Sequence, residues 1–558
     1  MIKDTSINIH CENTGIDKKY PFGTTLHDII QDQQIDIGAP ILGAMVNHSL
    51  KELDYLIYKP KTVKFIDFSH PDGKRMYMRS LSFILFKAAM DLFPKYRLKI
   101  EHSVSNGFYC KLHNDGSKVS YDEICPILEQ RMQEIINENL PFEREEIPTE
   151  KAIKIFKEFG LHDKCTLMET RQQYYSSVYR MDGVINYFYG YLVPSSIYIN
   201  KFKLLSYNDG MLLLPPKQSN PNEIEDVIHQ NKLFEVFREF KEWVDIMGVP
   251  DMGQLNLATQ GRKISEIIKV SEALQEKKIA NIAEKILNRK KDAKVVLISG
   301  PSSSGKTTFA KRLSVQLRVV GYQPIIMGMD NYFLSRAETP LDENGEYDFE
   351  SPNALDIDLF NKNMLELLEG KEIDLPKFSF GTGERSYDGT KLKFQKNSLI
   401  LVEGIHGLNP MISKMIPEEK KFKIYVSALT PISIDSTNRI PTTDNRLIRR
   451  MVRDHQHRGY SALDTLQRWA SVRDGEEKHI FPFQEEADVM FNTALLYELG
   501  VLKPLAEPIL RAVPSIAPEY SEARRLLKFL SYILLIDGKE IPPTSILREF
   551  LDGSSFNY

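Results

Sequence analysis

The run Gly300-Pro301-Ser302-Ser303-Ser304-Gly305-Lys306-Thr307-Thr308 constrains this chain more than any other stretch. It follows the apolar Val295-Val296-Leu297-Ile298 and precedes an amphipathic segment from Phe309 to Val320, so the order is strand, glycine loop, helix. Gly300 and Gly305 permit backbone conformations and a close approach that a Cβ blocks, which lets successive N–H groups point at phosphate oxygens. Lys306 and Thr307 then open a helix whose N-terminus favours anions. In this pattern the lysine reaches the β- and γ-phosphates and the Thr307 hydroxyl sits on Mg²⁺. The stretch predicts a nucleoside triphosphate site.

At 558 residues the chain is too long for one core. An apolar content of 42% and a charged content of 27% are those of a globular protein rather than a fibrous or disordered one. A net charge of −4 gives no overall electrostatic case for nucleic acid or a membrane surface, so any basic site must be local. Cys11, Cys110, Cys125 and Cys165 are scattered with no C-x-x-C pair, which predicts reduced thiols rather than a zinc cluster. The N-terminal MIKDTSINIH lacks the apolar core of a signal peptide, and the run Phe529 to Ile536 is far short of the roughly 20 residues that span a bilayer. A cytoplasmic protein with no membrane partner is expected.

Residues 1–68 alternate short β-rich runs (Ser6 to Ile9, Ile41 to Val46, Val63 to Phe68) with turns and one short helical pattern, Thr25 to Gln31. This mixed α+β unit resembles the β-grasp TGS module that opens threonyl-tRNA synthetases. Residues 79–112, with Gly107-Phe108-Tyr109, then the helical pattern Tyr121 to Asn139 and the step Asn139-Leu140-Pro141, resemble the editing domain of the same synthetases. The likeness covers roughly residues 1–215. It implies an editing site built from two histidines at i and i+4 and a later cysteine and histidine, but those places hold Arg79, Phe83, Tyr191 and Ser195 here. The resemblance therefore implies a descendant that has lost the metal and catalytic positions; it is read as a packing or dimerisation module of a homo-oligomer, with binding of RNA or a small molecule as the alternative. Tyr187, Tyr189 and Tyr191 are read as one face of a strand. Residues 216–223 form a polar, proline-bearing linker, and Leu233 to Met247 and Ile264 to Leu287 are helical patterns that join the halves. The expected domains are 1–68 (TGS-like), 69–215 (editing-like), 216–261 (linker and helices) and 262–558, an α/β phosphate-loop domain with a parallel sheet.

In the second half, the apolar strand Pro324 to Met329 ends in Asp330-Asn331-Tyr332-Phe333. A carboxylate at the carboxyl end of such a strand lies at the crevice where ligands bind, placed to accept a hydroxyl proton or to help hold Mg²⁺. A further strand, Ser398 to Val402, ends in Glu403, the second acidic element near the metal. His406 has no partner spacing and is read as structural. The helix opened by Thr443-Asp444 carries Arg446, Arg449, Arg450 and Arg453 on one face and Arg458 beyond.

Together these motifs resemble the uridine kinase and phosphoribulokinase superfamily. The resemblance implies Asp330 as the base that activates the acceptor hydroxyl, Glu350 in Tyr347 to Asp356 as the ribose ligand, and Pro376 to Arg385 as the base-reading segment. In that segment the family's tyrosine is Phe378 and its histidine is Gly383, while Tyr332 and Arg385 complete the expected acceptor pocket. It also implies a lid built from Arg446, Arg449, Arg450, Arg453 and Arg458, with Arg449 and Arg453 acting alongside Lys306 and Asp330 in catalysis, and Thr307, Glu403 and Asp330 as the metal set. The tail Ile541 to Phe550 is read as a docking segment. The expected protein is an ATP- and Mg²⁺-dependent kinase of a small-molecule hydroxyl, the 5′-hydroxyl of a ribonucleoside foremost. The rivals are a kinase of another hydroxyl such as a sugar phosphate, and an ATP-switched regulator that binds tRNA.

Overall fold

The computed structural model describes residues 6–113, 119–289, 293–342, 345, 347–379 and 381–557. The second half is built on a five-stranded, all-parallel sheet. Its strands are β1 (Val295–Ser299), β2 (Gln323–Gly328), β3 (Ser398–Glu403), β4 (Lys421–Ser427) and β5 (Val489–Asn492), in the spatial order β2-β3-β1-β4-β5. Every residue of β1 is buried, as expected of a central strand covered on both faces. Val296 and Ile298 pack against Phe309, Leu313 and Leu317 of helix α1 (Lys306–Val319) and Ile279 and Ile282 of helix Ile264–Asn288. Val295 and Leu297 face the other way, onto Phe360 and Met364 of helix Ile357–Leu368. The reversal of strand order beside β1 creates the crevice at the carboxyl ends of the strands. Two further helices complete the site's frame, α2 (Thr442–Arg458) and α3 (Ala462–His479).

The N-terminal region opens with a mixed five-stranded sheet in which Ser6–Cys11 runs parallel to Lys61–Ile66 and the remaining pairs are antiparallel. Helix Leu26–Gln33 lies against it, with Thr25 and Asp28 forming a reciprocal cap. Helix Pro71–Leu92 follows, then a four-stranded and a three-stranded antiparallel sheet. The expected strand through Tyr187, Tyr189 and Tyr191 ends earlier: the ladder stops at Asn186, whose side-chain oxygen accepts the Tyr187 N–H at 2.7 Å. That local bond takes the donor the ladder needs, and Tyr187 and Tyr189 turn into a core instead.

One apolar core runs across the two regions, gathering Phe156, Leu167 and Met252 with Ile448, Leu502 and Phe529. Polar links cross it too. Lys164 Nζ meets Asp435 Oδ1 at 2.9 Å with both side chains fully buried. The four cysteines are buried and unpaired. Among the described residues no helix is long and apolar enough to cross a membrane.

Candidate active site

The phosphate loop leaves β1 at Gly300, whose φ of 155° and close packing exclude any side chain, since a Cβ there lies 1.9 Å from the Val426 carbonyl oxygen. At the far end Gly305 adopts φ 81° and starts α1, with a would-be Cβ 2.7 Å from Ile546 Cγ2. Between them the carbonyls are tied outward. Ser302 O accepts from Arg446 Nε at 2.9 Å, Ser303 O from Arg449 Nη1 at 3.4 Å, and Ser304 O from Thr493 Oγ1 at 2.7 Å. A trans peptide points its N–H opposite to its C=O, so fixing these oxygens turns the amides of residues 303, 304 and 305 toward the opposite side. Lys306 Nζ donates to Pro301 O at 3.1 Å, and burial pushes its ammonium down against the pull of Glu403, Asp330 and Glu549.

The five arginines expected to form a lid divide into two groups. Arg446 and Arg449 are 1% and 0% exposed, each paired with a buried carboxylate: Arg446 with Glu476, and Arg449 with Glu498 at 2.5 Å. They lie beneath the loop and bind its carbonyls, which corrects the expectation of one continuous face over the nucleotide. The reason is the path of α2, whose N-terminal half crosses under the loop so that only later turns reach the crevice. Arg450, Arg453 and Arg458 are more open and converge on Asp454, at 3.3, 2.9 and 3.3 Å. Arg450 Nη1 also donates to Ser302 Oγ at 3.0 Å.

Across the crevice stands Asp330, in the turn after β2 and exposed to solvent. The desolvating walls of the crevice raise its carboxyl above the ordinary range even so, while Lys306, Arg458 and Arg453 pull it down. Glu403, at the end of β3, accepts from Thr307 Oγ1 at 3.1 Å. Burial and then the Asp330 charge push its acid up to about 7. The loop lysine and threonine, the strand-end aspartate and the second acid thus converge on one crevice.

The expected acceptor residues are placed unevenly. Burial pushes the acid of Glu350 up to about 7, Arg450 and Lys306 oppose that rise, and Asp330 adds to it, so this carboxylate shares the crevice. Its Cβ lies where a Cβ on Gly475 would be, 2.3 Å away, which seats it against α3. Phe378 packs with its ring 5.6 Å from Phe333. Arg385, opposite it across a hairpin, pairs with Asp356 at 2.8 Å. Tyr332 is 1% exposed and its hydroxyl accepts from Asn363 Nδ2 at 3.1 Å, so the structure puts it in the core beneath the pocket rather than on its surface. Gly383 adopts φ 72°, a conformation a histidine there would adopt only with strain, while Phe380 lies outside the described residues. His406 is buried and its imidazole pushed down to about 3, a neutral packing group.

Residues that the sequence reading missed also touch the loop. Glu476 Oε1 accepts the Ser302 N–H at 3.0 Å, and Glu549 of the tail accepts from the Thr308 hydroxyl at 2.8 Å and its N–H at 3.4 Å. Thr493 and Glu498 anchor Arg449. No spacing marks these positions, because each reaches the loop from a separate element.

Residues 295–496 match the phosphoribulokinase/uridine kinase family. They are a domain of that family. The match takes in β1 to β5, the phosphate loop, Asp330, Glu403 and the arginines of α2. A uridine kinase from Staphylococcus aureus (strain JH9) is 28% identical to this chain over 197 residues, which is 35% of this chain and 86% of that protein. Two threonine–tRNA ligases, from Thermotoga neapolitana and Syntrophotalea carbinolica, are each 30% identical, over 194 and 193 residues, 34% of this chain. Those matches fall in the N-terminal region, and the chain spans only 29% and 30% of the two ligases.

Proposed function

We propose that this chain is an ATP-dependent kinase that phosphorylates the 5′-hydroxyl of a ribonucleoside. The observation that carries the reading is the convergence of Asp330, open to solvent at a strand end, with Lys306 of the phosphate loop and the Thr307–Glu403 pair.

The loop amides and Lys306 hold the triphosphate. Thr307, Glu403 and Asp330 offer a hydroxyl and two carboxylates, hard oxygen donors that suit Mg²⁺, and the raised acids of the pair are the charge excess a divalent cation relieves. When bound, the cation neutralises charge on the phosphate oxygens. Asp330 accepts the proton of the incoming hydroxyl. Arg453 and Arg458, oriented by Asp454, lie close enough to act electrostatically on Asp330, where they stabilise charge on the transferring group. Arg446 and Arg449 act one step back, holding the loop in shape. Glu350 accepts from the sugar hydroxyls. The apolar Phe378–Phe333 contact offers no polar group to reject a wrong base, so more than one nucleobase is accepted.

Incubation with ATP and a panel of ribonucleosides tests the reading, with phosphorylated products resolved by mass. No turnover of any nucleoside, together with ATP hydrolysis stimulated by tRNA, would instead make this an RNA-linked regulator. Lys306→Ala is expected to lower kcat/KM by about 10²–10³ through loss of one preorganised charge at the phosphates; near-normal turnover would remove Lys306 from the mechanism. Glu549→Gln is expected to lower the KM for ATP about two- to fivefold, because its carboxylate holds an N–H at the helix N-terminus where a phosphate is favoured. A KM that is unchanged or higher would make that contact purely structural.

A further inference from the structure

Four cations from four distant segments gather on the N-terminal side of the molecule without carboxylate partners. Arg79 comes from helix Pro71–Leu92, Arg144 from strand Glu143–Pro148, Arg171 from the end of helix His162–Arg171, and Lys528 from helix Tyr520–Leu530. Three neighbours on or beside these elements do find carboxylates: Arg75 pairs with Asp72, Arg180 with Glu145 and Arg525 with Asp444. Among the described residues Arg79, Arg144, Arg171 and Lys528 form no ion pair; aromatic rings hold the three arginines instead. The Arg79 guanidinium lies 5.0 Å over the ring of Tyr189, Arg144 5.5 Å over Tyr191, and Arg171 3.8 Å over Tyr532. The rings of Tyr189 and Tyr532 are 6.4 Å apart, which joins the Arg79 and Arg171 perches into one surface. Gly190 leaves room for this, since a Cβ there would lie 2.2 Å from Arg79 Cζ.

The arrangement is electrostatically costly as it stands. Burial, then Arg79, Arg144 and Arg171, push the Lys528 ammonium down to about 8, and the Nε of Arg171 is buried with no acceptor. One carboxylate stands nearby, Glu52, and burial pushes its acid up while Tyr179 donates to it. Four cations therefore face a single, partly silenced acid. Each guanidinium spends part of its edge on neutral acceptors, Arg79 Nη1 on Tyr191 O at 3.4 Å, Arg144 Nη2 on Ser177 Oγ at 2.7 Å, and Arg171 on the Tyr187 hydroxyl at 3.3 Å and Gln173 Oε1 at 2.9 Å, so its charge is not neutralised and its remaining N–H groups can meet phosphate oxygens. Arg144 and Lys528 are open to solvent, so a ligand has access.

We infer that Arg79, Arg144, Arg171 and Lys528 form a second anion site that binds a small molecule carrying two or more phosphate groups. The excess charge exceeds what a monoanion balances. The cations also converge on one another instead of tracking along the surface as an extended nucleic-acid strand requires.

The test is calorimetric titration of inorganic pyrophosphate into the full-length protein carrying Lys306→Ala, which disables the phosphate loop and makes the result independent of the kinase reading. Binding is expected to persist in that background and to weaken at least tenfold on adding Arg79→Ala or Arg171→Ala, each removing charge-assisted hydrogen bonds. Should either variant fail to fold, Lys528→Glu on the exposed wall is expected to give the same loss. Pyrophosphate binding that vanishes with Lys306→Ala alone, or survives loss of the arginines, overturns the site. Inorganic phosphate binding equally well overturns the requirement for two phosphates, and a single-stranded RNA displacing pyrophosphate at lower concentration overturns the small-molecule class.

Discussion

Asp330→Asn is expected to lower kcat by about 10²–10⁴, the range a positioned general base supplies, while leaving the KM for ATP nearly unchanged. Asparagine keeps the size and removes the proton acceptor, and Lys306 and the loop amides still hold the phosphates. The same pair of acids sets the pH dependence. As the proposed base Asp330 must be a carboxylate; its acid is raised above the ordinary range, and that of Glu403 is pushed up to about 7. Activity should therefore rise with pH above the ordinary carboxylate range and level off once both acids are ionised. In Asp330→Asn the part of that acid limb that reports Asp330 should be lost, and only the Glu403 contribution should remain. Stability follows the opposite sign. An acid raised in the folded state holds its proton where the unfolded chain has lost it, so its effect on stability turns unfavourable as pH rises past the unfolded pKa. Asp330→Asn should accordingly raise Tm at pH 8 more than at pH 4. Turnover near the wild-type rate, with its acid limb intact, would remove Asp330 from the role of base.

Lys164→Ala is expected to destabilise the protein by about 3–5 kcal/mol, the usual result of removing one partner from a fully buried ion pair. Lys164 Nζ reaches Asp435 Oδ1 at 2.9 Å and Thr437 Oγ1 at 2.8 Å, and both charged side chains are 0% exposed. Its loss leaves Asp435 with neutral donors alone, the amides of Thr437 and Asn438 at 2.8 and 2.9 Å and the Asn438 side chain. The pair ties helix His162–Arg171 to the segment that leads into α2, so the N-terminal region braces the helix that shapes the phosphate loop. Urea unfolding measures the loss. The double variant Lys164→Met/Asp435→Asn should recover part of it, because no charge is then left buried alone. A loss under about 1 kcal/mol for Lys164→Ala would show that the aspartate is adequately satisfied by its neutral donors.

Much of the site was legible because its chemistry is local. The glycines, Lys306 and Thr307 lie within one turn of backbone between a strand and a helix, where spacing alone dictates which amides face which way. Asp330 and Glu403 each end an apolar run, and the rule that parallel strands carry ligands at their carboxyl ends brought both to the crevice.

Long-range packing decided the rest. Arg446 and Arg449 stand on the same helix as Arg453 and differ from it only in lying beneath the loop, a distinction that depends on where Glu476 and Glu498 arrive from other helices. Tyr332 entered the core because Asn363, on a separate helix, meets its hydroxyl. Glu549 reached Thr308 across 241 positions, and four cations met around Tyr189 and Tyr532 from segments whose separation in the chain carries no signal. The amino-acid sequence by itself determined the phosphate loop, the two acids and the parallel sheet beneath them. Only the tertiary structure decided which charges are buried as supports and which are left facing an anion, because the cost of a charge depends on its neighbours in space and not on its neighbours in the chain.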